Sequence, residues 1–313
     1  AGGRGRGWHG GLESVEFGGG PMARWHTFHA LSTQVNRMSN AAAASQPATG
    51  AEPILQQTRD GAVVTLTLNR PGARNALSLD MIAALKSATE ELSADASVSV
   101  VVLAGNGPGF CAGHDLKELT AHRGDADRGR AFFAETMRAC AEMMQGIVRS
   151  PKPFIAAVHG IASAAGCQLV ATCDLAVAGE KALFNTPGVN IGLFCSSPMV
   201  ALSRNVSRKQ AMEMLLLGEM LGAEDAKSFG LVNRVVAQDR YLEEATAMAR
   251  QIADKSPLTV AIGKEAFYRQ LEANLSEAYD YAADVMVRNM LARDAEEGIN
   301  AFIEKRAPNW EGR

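Results

Sequence analysis

The stretch GNGPGFCAGHD, residues 105–115, follows a mostly β-branched run at residues 98–103 that is apolar except for Ser99. Such a run is typical of a strand buried on both faces, as in a parallel sheet that helices cover. The glycines and the proline then end the strand in a tight loop. A second stretch, VHGIASAAGCQ at residues 158–168, follows the apolar run Phe154–Val158 in the same way and opens a predicted helix at residues 163–172. Two strand–loop–helix units of this kind predict an α/β fold.

The rest of the chain continues this alternation. Asp60-Gly61 predicts a hairpin turn between strands at residues 54–57 and 63–68, and a further strand is predicted at residues 175–178. Ser78 can cap a helix whose apolar residues recur at helical spacing. Long helices are predicted at residues 126–148, 241–255 and 275–291. We therefore predict an α/β core of stacked turns, with a mostly helical region after about Pro198.

Composition excludes several classes of protein. The 313 residues carry a net charge of -3, with 47% hydrophobic and 21% charged residues, which is ordinary for a soluble globular protein. The near-neutral balance argues against a nucleic-acid partner, and no apolar run approaches the roughly 20 residues of a membrane span. Because the five cysteines form no Cys-x-x-Cys pair, we expect reduced buried thiols and no structural metal site.

Residues 1–51 differ from the rest of the chain. Nine of the first 20 residues are glycine, and residues 22–51 contain Arg24 and Arg37, six serines or threonines and no acidic residue. An arginine- and serine-rich segment without acids is typical of a mitochondrial transit peptide. The alternative is an unstructured bacterial or cloning extension of a cytoplasmic protein. On either interpretation we expect residues 1–51 to lie outside the fold.

The first glycine-rich loop only partly fits a dinucleotide-binding fingerprint. Gly105 and Gly107 occupy the first two positions of Gly-x-Gly-x-x-Gly, but Phe110 stands at the third and Pro108 lies within the loop. The third glycine normally allows the helix to pack closely on the strand. The sequence therefore argues against a dinucleotide site and a dehydrogenase.

The small residues of the two loops favour another kind of site. A loop that opens a helix directs free N–H groups and the positive end of the helix dipole outwards. On adjacent strands, two such loops can aim two N–H donors at one oxygen, as stabilising an oxyanion or enolate requires. The alternative is that residues 162–166 are small only because helix and strand pack tightly.

Four sequence motifs fall in a characteristic order along the chain. They are NRP at residues 69–71 with NAL at 75–77, FCAGHDLKEL at 110–119, the segment 153–184 with Ala165-Gly166-Cys167 and Cys173-Asp174, and EEGINAFIEKR at 296–306. Together they resemble the crotonase family, the enoyl-CoA hydratases and isomerases, over about residues 54–310. The resemblance implies a crotonase-like spiral of ββα units at residues 52–255 and a C-terminal helical oligomerisation region at residues 256–313.

The resemblance also implies a ligand and a mechanism. The ligand is a coenzyme A thioester, so coenzyme A enters as part of the substrate, and no permanently bound cofactor or metal is expected. The family's common step is a thioester enolate held by two backbone N–H groups, which fall on His114 and Ala165. The implied coenzyme A contacts are Ala73, Arg74, Ala76, Leu116 and Lys117. Phe302 and Lys305, of this or a neighbouring subunit, would meet the adenine and the 3′-phosphate, unless Lys305 is only a solvated helix lysine.

The two glutamates of the hydratases are absent from this sequence. By motif position Gln168 replaces the first and Gly188 the second, and neither can take a proton from water as a carboxylate does. We expect Gly188 to need backbone angles that a glutamate resists. Cys195 and Ser196, on the loop after residues 190–192, are the next residues expected to face the acyl carbon. The alternatives are a packed thiol at Cys195 and a structural, hydrogen-bonded amide at Gln168.

Three functions remain open on this sequence. The first is an enoyl-CoA hydratase/isomerase-like protein of fatty-acid metabolism with a degenerate acid–base pair. The second is a non-catalytic acyl-CoA-binding or regulatory protein. The third is a decarboxylase-type lyase that uses the His114 side chain, because loss of carbon dioxide generates the enolate directly. Asp115, beside His114, is interpreted as a helix N-cap.

The helical region also predicts the assembly. It carries more apolar residues than a lone surface helix needs, namely Tyr279, Ala282, Val285, Met286 and Met290. We therefore predict a homotrimer or hexamer.

Overall fold

Residues 52–313 are described by a computed structural model, and their strands form two sheets. The larger sheet has the order β1 (Leu55–Asp60), β2 (Val63–Leu68), β3 (Val100–Gly105), β4 (Phe154–Val158), β6 (Leu175–Gly179) and β9 (Arg234–Val236). The smaller sheet has the order β5 (Ile161–Ser163), β7 (Leu183–Asn185) and β8 (Leu221–Gly222). The pairs β1–β2 and β7–β8 are antiparallel, and the other pairs are parallel. The predictions made for residues 1–51 fall outside the described residues.

The helices alternate with these strands and then continue alone. They are α1 (Leu79–Ala94), α2 (Leu116–Ala121), α3 (Arg130–Arg149), α4 (Ala165–Thr172), α5 (Pro198–Asn205), α6 (Arg208–Leu217), α7 (Ala223–Phe229), α8 (Tyr241–Ala253), α9 (Pro257–Gln270), α10 (Leu275–Met290) and α11 (Arg293–Glu304). Short 3₁₀-helices cover Pro71–Ala73, His122–Gly124 and Pro187–Ile191. None of these helices is both long enough and apolar enough to cross a membrane. The predicted α/β class is confirmed, with element ends that differ from prediction by a few residues.

The first hairpin turns one residue later than the sequence suggests. Asp60 pairs with Val63 in the β1–β2 register, so the turn consists of Gly61 and Ala62. Gly61 has a φ of 59°, and glycine at the first central position is typical of a two-residue type II′ turn. The predicted turn Asp60-Gly61 is therefore wrong by one residue, because Asp60 still belongs to the strand.

β3 lies inside the larger sheet and is buried along its whole length. Its alternate residues face opposite sides: Val100 and Val102 pack with α8, whereas Val101 and Leu103 join the core beneath α1, α3 and α4. Neither side of the strand meets water, which is why its sequence is apolar throughout.

Consecutive turns of the chain place equivalent residues side by side. β4 leads through β5 into α4, and β6 leads through β7 into the next 3₁₀-helix, with β4 parallel to β6 and β5 parallel to β7. The preceding turn, from β3 to α2, joins the smaller sheet through a single bridge between Cys111 and Ala162. β3 and β4 are parallel neighbours, so the loops after them leave the sheet at the same edge.

The last three helices attach to this core through few buried side chains. On α9, Lys264 Nζ bonds Asp174 Oδ2 at 2.7 Å and two backbone carbonyls of the core, and its side chain is 6% exposed. On α10 only Val285 is buried. Leu291, just after α10, is 82% exposed and Phe302 on α11 is 85% exposed. Of the five residues behind the predicted oligomer, Val285 is buried in the chain itself, whereas Tyr279, Ala282, Met286 and Met290 are exposed. The oligomer stays a prediction.

Candidate active site

Backbone hydrogen bonds join the two glycine-rich loops to each other. The Cys111 N–H donates to Ile161 O at 3.1 Å, and the Ser163 N–H donates to Cys111 O at 2.9 Å. The chain after Cys111 therefore runs alongside the chain that enters α4. The first loop continues through Gly113 into His114, and the second continues into Ala165.

Two glycines let these loops touch. A Cβ atom at Gly166 would lie 2.1 Å from Cys111 O, a distance that no side chain can adopt. Gly113 has a φ of 92°, and a Cβ there would lie 3.2 Å from the Ala165 nitrogen and 2.9 Å from Ser163 O. Only glycine fits both positions without displacing the neighbouring backbone. The small residues thus reflect tight packing and, at the same time, bring the His114 loop up to the start of α4.

The backbone N–H groups of His114 and Ala165 are both left without an acceptor among residues 52–313. Leu77 bonds the residues on either side of His114: its N–H donates to Gly113 O at 2.8 Å, and its O accepts from Asp115 N at 3.0 Å. In such a parallel bridge the N–H of the middle residue points away from the partner strand. Ala165 is the first residue of α4, so its N–H has no partner within the helix.

Ala164, which precedes α4, holds a strained backbone conformation. Its φ is 49° and its ψ is −115°, in a region that residues with a Cβ rarely adopt. Conformations of this kind cost about 1–3 kcal/mol and persist only where the surroundings impose them. Here the Ala164 N–H donates to Asn185 O at 2.9 Å. The strain turns the chain so that the next amide, that of Ala165, faces out of the helix.

The imidazole of His114 is a neutral group beside the first amide. Its Nε2 is buried and has no hydrogen-bond partner among the described residues. Burial lowers the pKa of this histidine below its ordinary value. The ring is therefore uncharged at neutral pH.

The acidic residues next to His114 are engaged in holding the loop. Asp115 caps α2, accepting from the amides of Lys117 at 3.1 Å and Glu118 at 3.3 Å, and it pairs with Arg70 at 3.0 Å. Burial alone would raise the pKa of Asp115, but Arg70 and the capping amides outweigh it and hold that pKa below its usual value. Glu118 accepts from the Leu79 N–H at 3.0 Å. The predicted N-cap at Asp115 is confirmed.

Gln168 lies one helical turn after Ala165 and is 6% exposed. Side chains on a helix lean towards its N-terminus, so the carboxamide leans towards the Ala165 end of α4. Its Oε1 is buried without a partner, and its side chain makes no hydrogen bond within residues 52–313. The alternative of a structural, hydrogen-bonded amide is therefore wrong.

Gly188, Cys195 and Ser196 lie in the segment between β7 and α5. Gly188 is buried in the 3₁₀-helix Pro187–Ile191 and has no positive φ, so the expectation of special backbone angles is wrong. What opposes a side chain at Gly188 is crowding by the residues after that helix. Cys195 is 7% exposed, and burial raises the pKa of its thiol, which agrees with a packed, protonated cysteine. Ser196 is exposed, and within residues 52–313 its hydroxyl makes a single long hydrogen bond, 3.4 Å to Phe194 O.

All five cysteines are buried and free, as predicted. No group of three histidine, cysteine, aspartate or glutamate side chains among residues 52–313 is arranged to hold a metal ion.

Comparison with known proteins identifies the family. Residues 58–313 match the sequence profile of Enoyl-CoA hydratase/isomerase. The chain belongs to this family. It is 47% identical, over 83% of its own length and 85% of the relative, to enoyl-CoA hydratase domain-containing protein 3, mitochondrial, of Rattus norvegicus. The predicted resemblance is confirmed.

Two solved structures of the family show the same fold. A crystal structure of enoyl-CoA hydratase from Mycobacterium smegmatis is 53% identical with a TM-score of 0.79, covering 83% of this chain and 99% of that one. The crystal structure of human enoyl Coenzyme A hydratase domain-containing protein 3 is 43% identical with a TM-score of 0.79, covering 82% and 100%. The predicted crotonase fold, with its C-terminal helices, is confirmed.

In this enoyl-CoA hydratase/isomerase family member, most of the predicted coenzyme A contacts come together. The segment with Ala73, Arg74 and Ala76 lies along the first loop, because Arg74 O accepts from Ala112 N at 3.0 Å. Leu116, which is 50% exposed, and Lys117 form the first turn of α2, directly after Asp115.

Phe302 and Lys305 are not brought to these loops by hydrogen bonds within residues 52–313. They lie at the C-terminal end of α11, which packs against α9 and α10, and both are exposed. Their predicted contact with the adenine and the 3′-phosphate, in this or a neighbouring subunit, stays a prediction.

Three features of the site escaped the sequence reasoning. Ala164 gives no sequence signal of its strain, because alanine rarely adopts such angles. Asn185 Oδ1 and Thr186 Oγ1 are buried without partners among residues 52–313, next to the Asn185 carbonyl that accepts from Ala164 N, and none of the four motifs includes them. Asn75 bonds residues more than thirty positions away, which no local pattern reveals.

Proposed function

We propose that this chain binds an acyl-CoA thioester with the thioester oxygen between the amides of His114 and Ala165, and that it acts on the enolate formed there. The observation that carries the proposal is the contact of the two loops, which leaves these amides unpaired on adjacent turns. Removing the α-proton, or a carboxylate at the α-carbon, places negative charge on the thioester oxygen. Two preorganised N–H donors stabilise such a charge without reorganising.

We also propose that this chain does not hydrate its substrate with two glutamates. Gln168 stands at the proposed position of the first glutamate, and Gly188, at the second, has no room for a side chain. Asp115 already pairs with Arg70, and Glu118 already accepts from the backbone N–H of Leu79. Proton transfer in this site therefore falls to Cys195, Ser196 or the His114 ring, or is lost.

Coenzyme A is proposed to lie over the segment that contains Ala73, Arg74 and Ala76 and over the first turn of α2. Arg74 is exposed there and Lys117 is an exposed cation at the start of α2, which suits the phosphates. No bound cofactor is proposed beyond the substrate's own coenzyme A.

Assembly and location are also proposals. The exposed apolar face of α10 and α11, including Tyr279 at 72% and Ile303 at 70% exposure, supports a homotrimer or hexamer in which α11 reaches a neighbouring site. Relatives that carry the word mitochondrial in their names support a mitochondrial location. The family's name, enoyl-CoA hydratase/isomerase, supports a role in fatty-acid metabolism. A transit peptide within residues 1–51 accords with this location.

A binding titration combined with a substrate screen tests the proposal. Butyryl-CoA is expected to bind more tightly than free coenzyme A, because only the thioester reaches the two amides. Crotonyl-CoA, a dienoyl-CoA and a malonyl-type CoA then separate the activities. Turnover of the malonyl compound that is lost in His114→Gln would favour the decarboxylase, and binding without any turnover would favour the regulatory protein. Failure to bind any acyl-CoA would refute the proposed function.

A further inference from the structure

The segment beside the first loop contains two consecutive residues in the left-handed region. Arg74 has a φ of 51° and Asn75 has a φ of 55°. Asparagine tolerates this region better than most residues because its short polar side chain can bond locally. Asn75 is fully buried, at 0% exposure, directly after the exposed Arg74 and at the start of the buried stretch 75–78.

The side chain of Asn75 satisfies three backbone groups at once. Its Oδ1 accepts from Arg70 N at 2.9 Å, and its Nδ2 donates to Asn106 O at 2.8 Å and to Gly109 O at 2.9 Å. Since only an amide N–H₂ can donate to two carbonyls while the oxygen accepts an N–H, the chemistry fixes the orientation of the carboxamide. A Cβ at Gly105 would lie 3.0 Å from Nδ2, so the end of β3 leaves room for this side chain.

These bonds join the end of β3 to the segment that holds His114. From Asn75 the chain continues to Leu77, which bonds Gly113 O and Asp115 N on either side of His114. Asn75 thus bonds the beginning of the first loop, at Asn106 and Gly109. It also lies two residues before Leu77, which bonds the end of that loop.

Arg70 provides a second tie to the same segment. Its Nη1 donates to Ala76 O at 2.8 Å, and its Nη2 bonds Asp115 Oδ2 at 3.0 Å. The backbone N–H of Arg70 also donates to Asn75 Oδ1. Arg70 thus holds the segment on both sides of Asn75, and neither residue accepts a hydrogen bond from the His114 N–H within residues 52–313.

We propose that Asn75 is a positioning residue that sets the direction of the His114 N–H. The inference rests on the proposed function, because a direction matters only if the amide receives the thioester oxygen. Without the Asn75 carboxamide, Asn106 O and Gly109 O lose their donor, the loop relaxes, and Leu77 no longer holds His114 in one orientation.

Two substitutions separate the side chain from the backbone. Asn75→Asp keeps the oxygen that accepts from Arg70 N. It replaces the Nδ2 amide group, which donates to two carbonyls, with an oxygen that can donate to neither. Asn75→Gly keeps the left-handed conformation at no steric cost and removes all three bonds. Asn205→Asp is the matched control, because Asn205 Nδ2 also donates to two backbone carbonyls, those of Ala171 and Ala201, each at 2.8 Å.

The readout is the infrared carbonyl stretch of butyryl-CoA labelled at the thioester carbon and bound to the full chain. Hydrogen bonds to the oxygen lower this frequency, so wild type and Asn205→Asp should show the full downshift. Both Asn75 variants should retain no more than about half of it, because one of two donors is misdirected. Loss of stability alone does not move this frequency.

The outcomes are distinguishable. If the folded Asn75 variants keep the full downshift, the positioning role is wrong while the proposed function stands. If Asn75→Asp does not fold, Asn75→Gly decides the question with the same spectrum. If wild type binds butyryl-CoA with no downshift at all, the two-amide site is wrong and this inference falls with it.

Discussion

A Cβ atom at Gly188 would lie 2.9 Å from the Sγ of Cys195 and equally close to the carbonyl oxygen of Leu193. Gly188 is buried, and its φ is not in the left-handed region, so crowding is the obstacle to a larger residue there. The Cys195 thiol fills the space that a side chain at position 188 would need. A larger residue at Gly188 must therefore displace the Cys195 thiol or the Leu193 carbonyl.

Stability measurements on these two positions test the contact. Gly188→Ala is expected to lower the free energy of unfolding by about 1–3 kcal/mol, the usual effect of overpacking a buried site. With Cys195→Ala present, one of the two close contacts disappears, so the double variant should lose less than the sum of the single losses. Urea denaturation of the four proteins measures this coupling. Strict additivity would show that the two side chains do not meet.

The backbone of residue 114, and not its ring, is expected to hold the thioester. His114→Ala keeps the N–H, so acyl-CoA affinity should stay within about threefold of wild type, as for substitutions that touch no essential contact. Ala165→Pro deletes a donor and should lower turnover by about 10²–10³, or abolish the preference for butyryl-CoA over coenzyme A. Proline is tolerated at the first position of a helix, and Ala165→Gly, which keeps the N–H, is the control. Unchanged binding and turnover in Ala165→Pro would contradict the assignment.

The sequence predicted the elements whose signal is local and continuous. Phe154–Val158 is found at its predicted ends because apolar residues facing two cores leave no ambiguity. Ser78 was predicted as a cap from its position before an apolar-periodic helix, and its Oγ accepts from Met81 N at 3.3 Å. The two glycine-rich loops follow β3 and β4, which are parallel neighbours, so both loops lie at the same edge of the larger sheet.

The parts that could not be predicted depend on contacts between distant residues. The sequence predicted special backbone angles at Gly188. What opposes a side chain there is instead the close approach of Cys195 and Leu193. For Gln168 the sequence left open a structural, hydrogen-bonded amide, but its buried Oε1 has no partner among residues 52–313. Neither fact follows from propensity or spacing, because both arise where separate turns of the chain meet.

The neutral state of His114 predicts a pH dependence of stability. Its pKa in the folded protein lies below the ordinary value of 6.5, so below that pH the unfolded chain takes up a proton that the folded chain does not. The free energy of unfolding should then fall as pH decreases below about 6.5, by at most about 1.4 kcal/mol per pH unit for one histidine. His114→Gln should show a shallower slope in denaturation experiments between pH 6.5 and 5. An identical slope in both proteins would show that His114 is not a buried neutral group.

The exposed apolar face of the C-terminal helices predicts a defined oligomer. Leu291 is 82% exposed and follows α10, where an isolated chain would place a polar residue. Light scattering should give the mass of a trimer or hexamer, and Leu291→Asp should lower it. Leu242→Asp on α8, an exposed apolar residue outside these helices, should leave the mass unchanged. A wild-type monomer at micromolar concentration would contradict the prediction.

Hydration of crotonyl-CoA is the most demanding test of the site. Water must lose a proton to a base as it attacks, and a neutral amide such as Gln168 cannot accept one at ordinary pH. Cys195 is a buried thiol with a raised pKa. Asp115 and Glu118, which follow His114 in the chain, are engaged by Arg70 and by backbone amides. We therefore expect hydration slower than that of a two-glutamate hydratase by at least about 10³-fold, the effect of losing general acid–base groups.

The loss of the conjugated thioester absorbance measures this rate. Gln168→Glu together with Gly188→Glu should not restore hydration, because Cys195 obstructs the second carboxylate, whereas the same pair with Cys195→Ala should raise it if the loop at Leu193 yields. Binding of butyryl-CoA by each variant controls for a lost site. Efficient hydration by the wild-type chain would show that another group transfers the protons, and alanine substitution of Cys195, Ser196 and His114 in turn would then identify it.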